Sequence, residues 1–108
     1  MTHRVVFSPE AQQQLIDLLD YIAHRASPAI AMGYTDGIVS YCESLSTFPQ
    51  RGNQRDDVRP GLRITHYKKR AVIAFAVTTE EVFILGVFYG GQDYETLLHD
   101  DPDNSVPH

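Results

Sequence analysis

Residues 62–89 of this 108-residue chain, LRITHYKKRAVIAFAVTTEEVFILGVFY, hold its strongest strand signals. The stretch holds three apolar runs, at 62–67, 71–77 and 82–89, which are joined by the short polar links 68–70 and 78–81. Links of this length can join only antiparallel neighbours. Because the middle run is apolar on both of its alternating faces, it predicts an interior strand. The stretch therefore predicts an antiparallel sheet.

Two helices are predicted upstream of this sheet. Ser8 and Ser27 are each followed by a proline. The hydroxyl can cap free amide groups at a helix start, and the proline suits the first helical position. Apolar residues at spacings of three and four follow each pair: Ala11, Leu15, Leu18, Leu19, Ile22 and Ala26 in the first helix, and Ile30, Tyr34, Ile38, Tyr41, Leu45 and Phe48 in the second.

A short apolar run at 5–7 precedes the helices, so the predicted element order is β-α-α-β-β-β. We expect an α+β domain of two layers, with a helical hairpin packed on one face of the antiparallel sheet. Gly33 and Gly37, four residues apart, predict close packing between the two helices. The other sheet face would then be an exposed apolar patch, which usually marks a partner site. Its predicted members are Val72, Ala74, Ala76, Ile84, Gly86 and Phe88.

Composition narrows the class of protein. The net charge is −5, and no apolar run approaches the roughly 20 residues that cross a bilayer. Cys42 is the one cysteine, which suits a reducing compartment and predicts a small buried apolar residue. We therefore expect a cytoplasmic protein without membrane contact. No metal or cofactor is predicted, because His3, His24, His99 and His108 lack metal-ligand spacing.

The cationic residues are segregated along the chain. Seven of the nine lie at 51–70, against only Asp56 and Asp57. This basic stretch predicts a surface for an anionic partner, although the acidic chain as a whole argues against general coating of nucleic acid. Two alternatives are ordinary solvated surface charge, and a structural role in which Arg59 and Arg63 brace the two aspartates.

Four segments resemble one protein family: FSPEAQQQLIDLLDYIA (7–23), YTDGIVSYCESLSTFPQRG (34–52), VRPGLRITHYKKRAVIAF (58–75) and VFILGVFYGGQDYETLL (82–98). Over residues 3–98 the chain is similar to the ParE branch of the ParE/RelE toxin superfamily. The matching positions are Ala11, Leu15, Tyr21 and Ile22, then Leu45, Pro49 and Gly52, then Arg59, Gly61, Leu62 and Arg63. The family's last strand usually ends His-Gly-Arg-x-Asp. Here Gly90 and Asp93 match, whereas Tyr89 replaces the histidine and Gly91 the arginine.

The resemblance implies a toxin of a type II toxin–antitoxin system that inhibits DNA gyrase by binding and is neutralised by a ParD-like antitoxin. Growth arrest and plasmid stabilisation would be the cellular effects. We expect the toxin domain at 1–98 and an acidic tail at 99–108. Neither catalytic residues nor sequence-specific nucleic-acid binding is expected. The expected target-binding residues are Arg59, Arg63, Tyr67, Gln92, Asp93 and Tyr94.

Two other functions stay open at this point. A RelE-type, ribosome-dependent endoribonuclease would draw on His66, Tyr67, Arg63, Lys68 and Tyr94. However, His66 and Tyr67 are adjacent in a predicted strand, so their side chains should point to opposite faces. A non-toxic binding module that keeps the fold is the third possibility, because Tyr89 and Gly91 depart from the family pattern.

Overall fold

Five strands and two helices make up residues 2–90, the part of the chain that this computed structural model describes. The strands are β1 (Arg4–Phe7), β2 (Asn53–Gln54), β3 (Arg63–Tyr67), β4 (Ala71–Val77) and β5 (Glu81–Tyr89). The helices are α1 (Pro9–Arg25) and α2 (Pro28–Ser44). Gln92, Asp93, Tyr94 and the expected boundary between 98 and 99 lie outside the described residues.

The sheet confirms the three predicted strands and adds two features. Its order is β1-β5-β4-β3-β2, so β4 is interior and antiparallel to both of its neighbours. The expectation of a wholly antiparallel sheet is wrong at one edge, because β1 pairs with β5 in parallel, from Arg4 opposite Glu81 to Phe7 opposite Ile84. The polar strand β2 was not predicted, because it is only two residues long and lacks apolar alternation.

Both predicted helix starts are confirmed. Ser8 Oγ accepts a hydrogen bond from the Ala11 amide at 3.0 Å, and Ser27 Oγ accepts one from the Ile30 amide at 3.1 Å. The helices pack on one sheet face over a core that includes Leu18, Ile38 and Phe75. A capping side chain that satisfies an otherwise unpaired amide stabilises a helix by about 1 kcal/mol.

The buried face of α2 is rotated from the predicted one. Ile30 and Phe48 were expected in the core, yet they are 59% and 58% exposed. Ala26, which was predicted in the apolar stripe of α1, is also exposed. Small residues take their place, because they let the helix approach its neighbours: Ala31, Thr35 and Cys42 are buried beside Ile38. The buried Thr35 hydroxyl donates to the Ala31 carbonyl at 3.0 Å, which satisfies its polar group.

An extra residue in β5 decides which side chains face the helices. Ala74 lies opposite Gly86, but Phe75 lies opposite Ile84, so Leu85 is bulged out of the pairing. Because side chains alternate along a strand, the extra residue puts Ile84 on the helix face. The prediction that Ile84 belongs to the outer face is therefore wrong.

The outer face is also far less exposed than predicted. A second cluster of buried residues covers it, in which Val58 and Leu62 of the loop between β2 and β3 pack against Ala74 and Phe88. Ala74 is 0% and Phe88 3% exposed. The expectation of a large open apolar patch is wrong, because the polar-looking loop carries two apolar side chains that fold back over the sheet.

Helix α1 is fastened to β5 beside the bulge. Strand β1 ends opposite Ile84, so the backbone N–H and C=O groups of β5 beyond Ile84 have no partner in β1. Ser8 Oγ donates to the Leu85 carbonyl at 3.1 Å, and Gln14 Oε1 accepts from the Val87 amide at 2.7 Å. Two side chains of the α1 start thus replace the missing strand.

Gln14→Ala should destabilise the fold by about 1–3 kcal/mol, because it leaves the partly buried Val87 amide without a partner. Gln13→Ala is the matched control: Gln13 is exposed and bonds only to Asp17 on the same helix, at 2.9 Å. Urea unfolding of both variants measures the difference. Equal midpoints would show that Gln14 does not hold β5.

The two helical glycines form a second matched pair. A Cβ on Gly37 would overlap the Tyr67 hydroxyl, whereas a Cβ on Gly33 meets nothing within 4 Å. The predicted contact of these glycines with α1 is therefore wrong; Gly37 makes room for β3. Gly33→Ala should stabilise by up to about 1 kcal/mol through helix propensity.

Gly37→Ala gains the same propensity but must displace Tyr67, so we expect it to be less stable than Gly33→Ala by at least about 1 kcal/mol. Thermal and urea unfolding of the two variants test this order. A Gly37→Ala protein as stable as Gly33→Ala would mean that Tyr67 shifts without loss of packing.

Candidate partner-binding surface

The basic stretch at 51–70 does not fold into one patch. Arg63 is the first residue of β3, whereas Lys68, Lys69 and Arg70 form the turn at its other end. At about 3.3 Å per strand residue, Arg63 and Lys68 are separated by roughly 16 Å. The cations that are continuous in sequence therefore form two separate positive regions.

Arg63 holds the loop that follows α2. Its guanidinium donates to the carbonyls of Arg51, at 3.3 Å, Gly52, at 3.4 Å, and Gln50. Gly52 has a φ of +81°, and a Cβ there would overlap the Ile64 carbonyl, so the loop needs glycine at this point. Arg63 is thus tied to backbone, and only part of its side chain faces solvent.

The alternative in which Arg59 and Arg63 brace Asp56 and Asp57 is wrong, because both aspartates bond to other residues. Asp57 pairs with Arg55, with Nη2 2.9 Å from Oδ2, and this hydrogen bond lowers the pKa of Asp57. Asp56 Oδ1 accepts from the Gly61 amide at 2.8 Å. Arg59 itself is exposed on the same loop, next to Val58 of the second core cluster.

Five tyrosines form a continuous row between the helices and the sheet, which we call the tyrosine row. The ring centroids of successive members lie 6.1, 5.7, 5.5 and 5.7 Å apart in the order Tyr21, Tyr89, Tyr34, Tyr67, Tyr41. All four contacts are edge-to-face or tilted, which is the favoured geometry for aromatic pairs. Tyr67, an expected target-binding residue, is thus a half-buried packing residue in the middle of the row.

Cations flank the tyrosine row. The Arg25 guanidinium lies 4.7 Å from the Tyr21 ring centre, Lys68 Nζ 5.5 Å from that of Tyr67, and Arg51 5.3 Å from that of Tyr41. Such contacts stabilise by about 0.5–1 kcal/mol at exposed sites. Sequence reasoning took Tyr34 and Tyr41 for core residues and missed the row. The available signal was a tyrosine at each of two strand ends, Tyr67 and Tyr89.

Two cavities meet at this surface and share Tyr21 and Tyr89. The first, of about 370 Å³, lies between α1 and the end of β5 and includes Gln14, Asp17 and Gly90. The second, of about 330 Å³, lies where α1 ends and α2 begins. Its lining includes Tyr21, Arg25, Ile30, Tyr34, Arg70 and Tyr89, and we call it the tyrosine–arginine cavity.

The family model for the "ParE toxin of type II toxin-antitoxin system, parDE" matches residues 5–94. The chain belongs to the ParE toxin family. A solved structure described as "Chromosomal ParDE TA system from P. aeruginosa" shares the fold, with a TM-score of 0.73 over 83% of this chain and 98% of that one, at 20% sequence identity. The comparison with curated proteins finds no match at the threshold applied.

The structure shows what Tyr89 and Gly90 do at the end of β5, where this ParE-family chain departs from the family's usual sequence. Tyr89, which stands at the position of the family's usual histidine, contacts both Tyr21 and Tyr34 in the tyrosine row. Gly90 has a φ of +71°, and its amide donates to the Arg70 carbonyl at 3.0 Å. The end of β5 is therefore tied to the turn that carries the second group of cations.

The residues considered for RNA cleavage do not converge in this ParE-family fold. His66 is exposed, whereas its neighbour Tyr67 packs toward α2, as the strand alternation predicted. Lys68 lies at the far end of β3 from Arg63, and Tyr94 lies outside the described residues. Within 2–90, no group of three or more His, Cys, Asp or Glu side chains could hold a metal ion. No helix in that range is long and apolar enough to span a bilayer.

Cys42 is buried in the α2 core face, as predicted. Burial raises its pKa from an ordinary 9.0 to about 12, and the neighbouring Glu43 adds to the shift. The thiol therefore stays protonated at neutral pH. The contribution of Cys42 to stability should decline above about pH 9, where the unfolded chain begins to lose the proton that the folded chain retains.

We expect iodoacetamide at pH 8 to alkylate Cys42 far more slowly in the folded protein than in urea, because the thiol is buried away from the reagent and its raised pKa keeps it protonated. Mass spectrometry of the two time courses measures the ratio. Similar rates in both conditions would show that α2 opens readily and exposes the thiol.

Proposed function

We propose that this ParE-family toxin acts in the cytoplasm by binding DNA gyrase, without making or breaking a bond, and that a ParD-like antitoxin neutralises it. The family match over residues 5–94 carries the proposal. The similar solved structure, described as a ParDE system, supports an antitoxin partner of the ParD type.

Geometry favours binding over RNA cleavage as the mode of action. A general acid and base must both reach the same scissile phosphate. His66 and Tyr67 face opposite sides of β3, and the guanidinium of Arg63 is tied to three carbonyls of the loop at 50–52. These side chains contribute to packing and loop structure more readily than to a shared reaction centre.

Arg59 is the described residue best suited to contact gyrase. Arg59 is exposed. Its loop is anchored to the sheet by the buried side chains of Val58 and Leu62, and the hydrogen bond of Asp56 and the ion pair of Asp57 hold its shape. A planar, multidentate guanidinium on a fixed loop suits an acidic or phosphate-bearing surface. Gln92, Asp93 and Tyr94 remain proposed target contacts on the family resemblance.

Purified protein should inhibit supercoiling by gyrase and increase linearised plasmid in the presence of ATP. Arg59→Ala should raise the half-inhibitory concentration about five- to tenfold, equivalent to about 1–1.4 kcal/mol of lost binding. Lys69→Ala, an exposed cation at the other end of β3, is the matched control and should leave the potency unchanged. Arg63→Ala needs a parallel unfolding curve, because it also releases the loop at 50–52.

Induced expression in cells, with and without the neighbouring antitoxin gene, provides the second readout. Growth arrest with a DNA-damage response, relieved by the antitoxin, is the expected result. Cleaved messenger RNA in a ribosome assay together with normal supercoiling would instead establish the endoribonuclease. Antitoxin binding without growth arrest would establish the non-toxic module.

A further inference from the structure

The tyrosine–arginine cavity holds two arginines without a carboxylate partner among the described residues. The ion pairs in that part of the chain are Arg4 with Glu81 and Arg55 with Asp57, so neither involves Arg25 or Arg70. Lys68, 6.0 Å from the Tyr34 ring centre, adds a third positive charge close by. The cavity is therefore positive on a chain whose net charge is −5.

Tyr34 gives the cavity an unused polar group. Its hydroxyl oxygen is buried and has no hydrogen-bond partner, whereas buried polar groups are normally paired. Arg70 lines the same cavity as Tyr34. A ligand that reaches Arg70 could thus also satisfy Tyr34.

The rim of the same cavity is apolar. Ile30, 59% exposed, and Tyr21, 46% exposed, flank the two arginines. Large apolar side chains that remain exposed around a polar centre are typical of protein contact sites. A ligand that matches both parts combines carboxylates with apolar side chains.

A nucleotide fits the cavity less well than a polypeptide. The Tyr21 face is already covered by Arg25, and the other tyrosines meet their neighbours edge-to-face, so no parallel pair of rings is left open for a base. Aliphatic side chains from both helices complete the lining.

We propose that the tyrosine–arginine cavity is the docking site for an acidic segment of the antitoxin, whose carboxylates pair with Arg25 and Arg70 and whose apolar side chains cover Ile30 and Tyr21. The proposal rests on the function proposed above, since it names the partner's contact. The Tyr34 hydroxyl donates a hydrogen bond to the bound segment. Because the pairs form at a partly exposed site, affinity should fall as salt rises.

Calorimetric titration of the full chain with the product of the adjacent gene, which we expect to be a ParD-like antitoxin, tests the site. Arg25→Gln and Arg70→Gln should each raise the Kd by up to about fivefold, the size of effect expected from the loss of one partly exposed ion pair. Lys69→Gln, an exposed cation on the same turn as Arg70 that does not line the cavity, is the matched control and should leave the Kd unchanged.

Tyr34→Phe separates binding from folding. In the free protein it removes an unpaired buried hydroxyl, so the variant should be at least as stable as the parent. In the complex it removes a bond to the antitoxin, so the Kd should rise. A Kd unchanged in Tyr34→Phe, Arg25→Gln and Arg70→Gln, with wild-type binding intact, would overturn the docking site and leave the proposed function standing. Absence of wild-type binding would overturn both.

A double-mutant cycle identifies the carboxylate that pairs with Arg70. Each Asp or Glu of the antitoxin is replaced by its amide, and the Kd is measured with wild-type and with Arg70→Gln toxin. One replacement should raise the Kd with the wild-type toxin but not with Arg70→Gln. Two further results would assign the cavity to another occupant and overturn the proposal. One is self-association of the full chain that Arg70→Gln abolishes. The other is an arginine effect that disappears once Asp100, Asp101 and Asp103 are replaced by asparagine.

Discussion

The extra residue at Leu85 is the constraint on which the arrangement of the sheet and the helices depends. Before it, Val82 and Ile84 face the helices; after it, Val87 and Tyr89 do so. In a strand without the bulge, a shift of one residue would move one of these pairs to the opposite face. The helix face of β5 would then lose half of its core side chains.

The same bulge places Tyr89 in the tyrosine row. Its ring contacts one tyrosine on each helix, Tyr21 on α1 and Tyr34 on α2, so the end of β5 joins both helices to the sheet. The row is half-buried: it packs inward with its rings and borders the surface cations with its edges. Core packing and the partner surface therefore use the same side chains, and a substitution there affects both stability and binding.

Local signals in the sequence predict most of the fold. The serine–proline pairs give both helix starts, and the short links give the antiparallel strands, since these features depend on neighbours within a few residues. Three features depend on contacts distant in sequence and were missed. They are the parallel pairing of β1, the rotation of α2 toward its small residues, and the cover of the outer face by Val58 and Leu62.

The candidate site was less predictable than the fold, for a related reason. Seven cations that are close in sequence form one patch only if the chain between them is compact. Here β3 is extended, so Arg63 and Lys68 lie at its opposite ends. Arg63 also has backbone partners that no spacing rule reveals. The positive charge at the tyrosine–arginine cavity, by contrast, combines Arg25 from α1 with Arg70 from a turn 45 residues later in the numbering.

The parallel pairing of the first strand with the last has a consequence for synthesis on the ribosome. Arg4 and its partner Glu81 are 77 residues apart, and α1 is fastened to Leu85 and Val87. While β5 is still inside the ribosome, β1 has no strand to pair with, and Ser8 and Gln14 lack their backbone partners on β5. Such a long-range topology folds late, because the cost of closing the loop precedes the contacts that stabilise it. A message that is broken before the codons for β5 thus encodes a chain that lacks the strand partner of β1 and the backbone partners of Ser8 and Gln14.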